Sequence, residues 1–458
     1  MTLTCFKAYD IRGRLGDNLD AGIAYRIGRG FARALGARTV VLGRDIRQSS
    51  PELAGAVAQA LMDEGATVLD LGLAGTEEMY FATADLGADG GITVTASHNP
   101  MDYNGMKMVG AGSAPLSPPQ MGQIRQLAEA DEFGPAATGG ARREVAEAAR
   151  AAYVARVVEF ADLDALRPLH LLVNSGNGTA GPTFDAIAEA LAARGAPLRF
   201  TRLHHQPDPS FPNGIPNPLL PENQPVTGQA VLHHDADLGI AFDGDFDRCF
   251  FFDETGAFID GEYIVGLLAQ EFLTREPGAA IVHDPRIIWN TRDIVAQAGG
   301  RPIQSRTGHA FLKAALRETG AVYGGEMSAH HYFRDFACCD SGMIPWLLVA
   351  GLLSRSGQPL SSLIAARRAA FPSSGEINFV VDDAAAARAR VEAAFGPDAV
   401  GRDETDGLSL DMGDWRFNLR ASNTEPLLRL NAESRGDRAL LADGVARLRR
   451  LIQDSADG

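Results

Sequence analysis

The chain has 458 residues, 45% of them apolar and 22% charged, a balance that excludes a disordered or fibrous protein. Its length is too great for one ordinary core and suggests three or four domains. A formal net charge of −16 argues against a nucleic-acid-binding surface, so any anion must be held in a local pocket.

The longest apolar run, Ile344 to Leu353, contains Pro345 and spans only about half of a bilayer crossing, so no membrane segment is expected. Lys7 and Asp10 interrupt the stretch where a signal peptide would need its apolar core. Four cysteines (Cys5, Cys249, Cys338, Cys339) include no metal-type CxxC pair. A cytoplasmic protein is expected. Of 42 basic residues only Lys7, Lys107 and Lys313 are lysine. In a chain so biased toward arginine, a retained lysine marks either a site that needs a compact ammonium or simple compositional drift.

Strand-like and helix-like segments alternate through the first two-thirds. TVVLGRD (39–45), a helical ELAGAVAQALMDEG (52–65), ATVLDLG (66–72) and GGITVTASHNP (90–100) come first. LHLLVNSGNG (169–178), a helix around Phe184–Ala193, PLRFTRL (197–203) and DLGIAFDGD (237–245) follow. A third set holds GAAIVHDP (278–285), a helix near Asp293–Ala298, residues 301–320 and AVYGGEMSAHH (321–331). This spacing predicts parallel α/β layers, with ligands at the carboxyl ends of the strands. From Ile377 onward, strands and two helices read as a small α+β domain, and 132–142 and 355–375 read as linkers.

Four loops carry candidate chemistry. In TASHNPMDYNGMK, Ser97 follows a strand directly, His98 neighbours it, and Lys107 lies beyond a turn. The segment is equally what a side-chain-capped turn looks like, and it has no GxSxG elbow. In DGDFDR, alternation places Asp243, Asp245 and Asp247 on one side of an extended segment, where they suit a hard cation such as Mg²⁺, the alternative being a solvated acidic turn. Glu254 occupies the twelfth position of an EF-hand count, but Arg248 stands where that loop needs glycine, which excludes it. In GGEMSAHH, alternating Glu326, Ser328 and His330 could grip vicinal hydroxyls. RASNTEP supplies Arg420, Ser422, Asn423 and Thr424, a donor set suited to phosphate, and read alone an Asn-rich turn explains it nearly as well. Tyr9, Arg12, Arg286 and His309 could support it.

Together, in this order, AYDIRG, TASHNP with NGMK, DGDFDR, GEMS and RASNTEP resemble the α-D-phosphohexomutase family over nearly the whole chain. GEMSAHHYFRDF and CDSGMIPWLLV resemble its bacterial phosphomannomutase and phosphomannomutase/phosphoglucomutase branch. The resemblance implies an α/β fold of three similar mixed domains and a C-terminal α+β domain around a central active-site cleft. The expected boundaries are 1–148 (phosphoserine loop), 149–252 (metal loop), 253–366 (sugar loop) and 367–458 (phosphate loop).

It further implies Ser97 as a phosphoserine, with Asp243, Asp245, Asp247 and a Ser97 phosphate oxygen binding one Mg²⁺. Glu326 and Ser328 would hold the 3- and 4-hydroxyls of the sugar. Arg420, Ser422, Asn423 and Thr424 would hold its non-reacting phosphate. Arg12, Lys107, Arg248, Arg286, His309 and His330 would line the cleft, with Lys107 first and His309 second as the acid/base. The implied reaction interconverts mannose 1- and 6-phosphate, and glucose phosphates as well, through a hexose 1,6-bisphosphate that also serves as activator. A phosphosugar phosphatase, a glucose-preferring phosphoglucomutase and an idle phosphosugar-binding protein are the alternatives. A monomer or weak homo-oligomer is expected. Three departures from the family pattern stand out: Phe246 for glycine, expected to form a bulkier wall beside the metal, Ala329 for glycine, and Arg286 for lysine.

Overall fold

The computed structural model describes residues 2–421 and 427–453. The chain divides into two compact units: residues up to 258 together with 330–357, and residues 259–329 together with those from 358 on.

In the first unit a six-stranded sheet runs Ile11–Arg14, Tyr103–Gly110, Gly90–Val94, Thr39–Arg44, Thr67–Leu73, Ala141–Glu144. The last four are parallel, and the first two are antiparallel additions at the edge. Gly90–Val94 is buried along its whole length, as a strand covered on both faces must be. The helix Ala21–Leu35 covers one face, with Ile23, Ile27 and Phe31 in the core beside Val40, Leu42 and Ile92. It is capped by Asp20, whose carboxylate accepts the Ile23 amide at 2.7 Å, and it ends at Gly36 in the left-handed region (φ 61°).

A second sheet aligns Cys249–Phe252, Leu238–Phe242, Leu169–Asn174 and Leu198–Leu203. The same unit takes back a later piece of chain, the antiparallel pair His331–Phe333 and Cys339–Asp340 and the helix Met343–Ser356. That helix is apolar all round because it is buried. Trp346 packs on Phe184 and Phe200 with ring centroids at 5.4 and 5.9 Å, and the Met343 amide donates to Glu77 Oε1 at 3.1 Å. Burial keeps the Glu77 carboxyl well above the ordinary glutamate range.

In the second unit, Arg301–Gln304, Ala280–His283 and Tyr323–Gly325 are parallel strands flanked by the helices Gly261–Arg275, Trp289–Gln297 and His309–Thr319. An antiparallel sheet follows in the order Ser373–Val380, Leu427–Ser434, Trp415–Ala421, Leu408–Asp411, Gly401–Asp403. It packs on the helices Ala384–Phe395 and Arg438–Gln453 around Phe395, Trp415 and Phe417. The fold is therefore three mixed α/β sheets and a C-terminal α+β domain. The segment 355–375, expected as a linker, is a correction: it holds the helix Leu360–Ala370. Leu360 and Ile364, four residues apart, bury one face, and Arg367, one turn further along the same face, ties it to Asn290 at 2.7 Å and Asp293 at 2.8 Å. No helix among the described residues is long and apolar enough to cross a membrane.

Candidate active site

Ser97 lies just beyond the strand Gly90–Val94 and is buried, with its backbone in the left-handed region (φ 49°). For a residue with a Cβ that conformation costs about 1 kcal/mol, so the surroundings must impose it. Thr95 Oγ1 accepts the Ser97 amide at 2.8 Å, and Arg47 donates to Ser97 O at 2.9 Å and Pro100 O at 2.8 Å. Asp45 accepts the Ala96 amide at 3.3 Å and the Ser50 hydroxyl, while Arg12 donates to Thr95 O. Neither Asp45 nor Arg47 was foreseen, although both sit at the carboxyl end of the strand Thr39–Arg44, where α/β folds place ligand-handling groups.

The Ser97 hydroxyl donates to Asp243 Oδ2 at 2.6 Å and lies 3.0 Å from His98 Nδ1 and 3.3 Å from Arg248 Nη2. Arg248 binds Asp243 Oδ2 through Nε at 2.9 Å and Nη2 at 2.6 Å, and also donates to His98 Nδ1. Desolvation and the Arg248 guanidinium hold His98 well below its ordinary range, so the ring is neutral with its Nδ1 lone pair facing the arginine.

The three aspartates do gather, but by a different geometry from the extended strand expected. Residues 243–247 form a turn closed by the Phe246 amide on Asp243 O at 3.2 Å, with Phe246 at φ 46°. Thr179 donates its amide and hydroxyl to Gly244 O at 3.1 and 2.8 Å, and Thr76 donates its hydroxyl to Asp245 Oδ2 at 2.5 Å. The Phe246 ring is fully buried against Gly75, where any Cβ would overlap it, so the ring anchors the loop.

Lys107 Nζ bridges Asp245 Oδ2 at 2.8 Å and Asp247 Oδ2. Burial alone would lower its pKa, but the two carboxylates override this and keep it charged. Burial pushes Asp243 up to about 6 despite Arg248, with Asp247 and Asp245 adding to the rise. Each aspartate leaves one buried oxygen, Oδ1, without a hydrogen bond, and the carboxylates lie within 4.8 Å of one another. Lys107 and Arg248 leave one of the three negative charges uncompensated. Three convergent, orphaned oxygens with excess negative charge fit a hard divalent cation.

The sugar-loop residues separate. Residues 326–329 form a turn, with the Ala329 amide on Glu326 O at 3.0 Å and Ala329 at φ 70°, so the period-two alternation of Glu326, Ser328 and His330 does not hold. His330 belongs to the first unit, where its Nε2 lies 3.6 Å from Asp247 Oδ1 and its backbone bridges to Arg248. Tyr9 is half-buried in the loop before Ile11–Arg14.

In the second unit Glu326 Oε1 accepts the Gly308 amide at 2.9 Å, next to His309 at the start of its helix. Arg286 Nη2 lies 3.3 Å from Ser328 Oγ and 3.5 Å from Glu326 Oε1. Asp284 holds this group together, binding Arg286 at 2.6 Å and accepting the Met327 amide at 3.0 Å. Arg420 pairs with Glu376 at 2.9 Å, with Arg429 at 3.5 Å and Arg286 at 3.7 Å from the same carboxylate. Asp284, Glu376 and Arg429 were not foreseen; HDPR was the only local signal for the first. Ser422, Asn423 and Thr424 lie outside the described residues.

Comparison with known proteins follows the same layout. Models of phosphoglucomutase/phosphomannomutase α/β/α domains I, II and III match residues 4–135, 151–256 and 260–371, and that of the C-terminal domain matches 376–451. The chain is 58% identical over 454 residues to a phosphomannomutase of Salmonella montevideo, covering 98% of each. It is 54% identical over 454 residues to the phosphohexose mutases of Xanthomonas campestris pv. campestris, covering 99% of this chain and 100% of that protein. Among solved structures, a phosphoglucomutase/phosphomannomutase family protein from Burkholderia thailandensis superimposes with a TM-score of 0.87 at 34% identity, covering 100% of this chain and 99% of that one.

Proposed function

Because this chain belongs to the phosphoglucomutase/phosphomannomutase family, we propose that it interconverts mannose 1-phosphate and mannose 6-phosphate, and glucose phosphates by the same route, in the cytoplasm. The observation that carries this reading is the Ser97 hydroxyl, 2.6 Å from Asp243 inside a buried cation-fitting carboxylate cluster. A pure phosphosugar binder needs neither nucleophile nor metal ligands.

In the proposed reaction Ser97 carries a phosphoryl group. The P–O bond to Ser97 Oγ breaks as a bond forms to the free hydroxyl of a hexose 1-phosphate, and the hydroxyl proton passes through the acid/base to the departing Ser97 Oγ. The resulting 1,6-bisphosphate turns end for end, and Ser97 takes the other phosphoryl group. The same bisphosphate, added in trace, would recharge a bare Ser97.

Asp243, Asp245 and Asp247 would hold Mg²⁺, which when bound offsets charge on the transferring group. Arg248, already beside Ser97 Oγ, does the same from the protein side and cannot lose its proton. Lys107, which reaches Asp245 at 2.8 Å, would serve as the acid/base that handles the hydroxyl proton, with His309 second. Glu326 and Ser328 would hold the sugar hydroxyls, with Arg286, Arg420 and the 422–424 loop holding the idle phosphate. Mannose and glucose differ at the 2-hydroxyl, which a grip on the 3- and 4-hydroxyls does not sense; this supports dual specificity. The boundaries 1–148, 149–252, 253–366 and 367–458 are kept as the proposed domain limits, and a monomer or weak homo-oligomer as the proposed state.

Phosphorus NMR of mannose 1-phosphate and glucose 1-phosphate in separate tubes, with Mg²⁺ and trace glucose 1,6-bisphosphate, tests this. Conversion to the 6-phosphates, lost in Ser97→Ala, is expected. Accumulation of inorganic phosphate would instead indicate a phosphatase.

A further inference from the structure

Arg420 and Arg429 are directly opposed on the neighbouring strands Trp415–Ala421 and Leu427–Ser434. Like charges in that register repel, so the pairing requires an anion close by. Glu376 supplies it. Its strand, Ser373–Val380, shifts register between Ser373 and Glu376, and this irregularity precedes the carboxylate that meets the arginines. Glu376 Oε2 accepts from Arg420 Nη2 at 2.9 Å and lies 3.7 Å from Arg286 Nη1, while Oε1 lies 3.5 Å from Arg429 Nη1.

Arg286 has a carboxylate of its own in Asp284, at 2.6 Å. Glu376 is a carboxylate that Arg420 and Arg429 both face. The Arg420 Nε is buried without a hydrogen-bond partner, so the cationic group retains unused donor capacity. Burial alone would raise the Glu376 pKa, but Arg286, Arg420 and Arg429 overcome it and hold the carboxyl ionised, below the usual glutamate range.

We propose that Glu376 is a resident competitor inside the phosphate clamp: it shares Arg420, Arg429 and Arg286 with the idle phosphate of the substrate and so sets how readily that phosphate is released. This rests on the mutase reading above, in which the clamp must grip one phosphate, release it and grip the other within a single turnover. Full arginine charge would favour the grip at the expense of release. A carboxylate already seated among the guanidiniums weakens the bound state and replaces the phosphate as it leaves. Glu376 acts through the arginines and is a positioning residue.

The test separates this role from simple bracing of the arginines. Inorganic phosphate binding is measured by calorimetry for the wild type, Glu376→Gln and Glu376→Asp, each checked for folding by circular dichroism and thermal melting. Glu376→Gln keeps the shape and removes the charge; phosphate should bind about fivefold or more tightly. Glu376→Asp draws the charge back by one methylene and should give a smaller gain of the same sign, which keeps the test open if Glu376→Gln does not fold.

The gain should vanish in an Arg420→Gln background. In turnover, KM for hexose phosphate should fall together with kcat, as slowed release requires. Phosphate binding that is unchanged or weaker in a folded variant would overturn the proposal, since a bracing role predicts weakening. A gain that survives Arg420→Gln would overturn it as well. These binding measurements need no catalysis, so their outcome is independent of whether the wild type interconverts hexose phosphates.

Discussion

Thr76 and Asp245, 169 residues apart, are joined twice: the Thr76 hydroxyl donates to Asp245 Oδ2 at 2.5 Å, and its amide donates to Asp245 O at 3.2 Å. The first turn of the helix Thr76–Asp85 thus fixes both the backbone and the carboxylate at the middle of the metal loop. Thr76→Val keeps the shape but leaves a buried carboxylate oxygen short of a donor, a loss of about 1–3 kcal/mol. The apparent Mg²⁺ affinity, read from the metal dependence of the initial rate, should weaken by about tenfold. Overall fold should be retained. An unchanged metal dependence would show that Thr76 braces the backbone alone.

Asp245→Asn removes one of three charges on which the cation site depends, while keeping the size of the side chain. Turnover should drop by about a hundredfold or more, with the circular dichroism spectrum preserved. Near-normal turnover in the folded variant would contradict the metal assignment, and the same rate assay after chelation offers an independent check.

Glu262 makes a pH signature in the second unit. It is buried in the helix Gly261–Arg275, and desolvation, then the charge of Asp260, push its pKa up to about 8 from 4.5; Ser373 and Glu433 also face it. The folded state therefore holds a proton that the unfolded chain has already lost. That contribution is fully present below about pH 4.5, declines as pH rises, and is gone above about pH 8. Within this window the slope is about 1.4 kcal/mol per pH unit at most. Glu262→Gln, neutral at every pH, should melt higher than the wild type at pH 9 and show a flatter dependence between pH 5 and 9. Parallel melting curves for the two proteins would refute this.

Phe246 combines a buried ring with φ 46°. Phe246→Ala should destabilise by about 3–5 kcal/mol through the cavity it leaves. Phe246→Gly loses the same ring but relieves the left-handed backbone, so it should be the milder of the two by about 1 kcal/mol. Denaturant unfolding of both variants decides the order. Alanine milder than glycine would mean that the turn does not hold residue 246 in the left-handed region.

The α/β alternation and the small terminal domain were legible because apolar strands such as Gly90–Val94 and Leu238–Phe242 are short, β-rich and bounded by turn residues. The residue types of the four loops were legible too, but their assembly was not a local property. Ser97 meets Asp243 across 146 residues, and only family resemblance joined them. The turns at Phe246 and Ala329 were missed because a positive φ at a residue with a Cβ has no compositional signature; it is imposed by partners such as Thr179 and Thr76. Arg47, Thr76, Asp284 and Glu376 escaped notice for the same reason. Each acts on a group brought near by the fold, and none stands in a distinctive local pattern. The segment 355–375 misled because its polar composition hid the spacing of Leu360 and Ile364.

The first unit is not continuous in sequence. It is completed by residues 330–357, after an intervening stretch of 71 residues, 259–329, that belongs to the other unit. Glu77 meets the amide of Met343, and Asp247 meets His330, only when this last piece arrives. On a ribosome the metal loop would therefore emerge long before its final partners do. The nascent N-terminal portion must wait, with its Trp346-binding aromatic face around Phe184 and Phe200 uncovered, until synthesis has passed Gly357. A stalled or truncated product lacking residues 330–357 would leave that aromatic face uncovered, a transiently exposed apolar surface of the kind that favours aggregation.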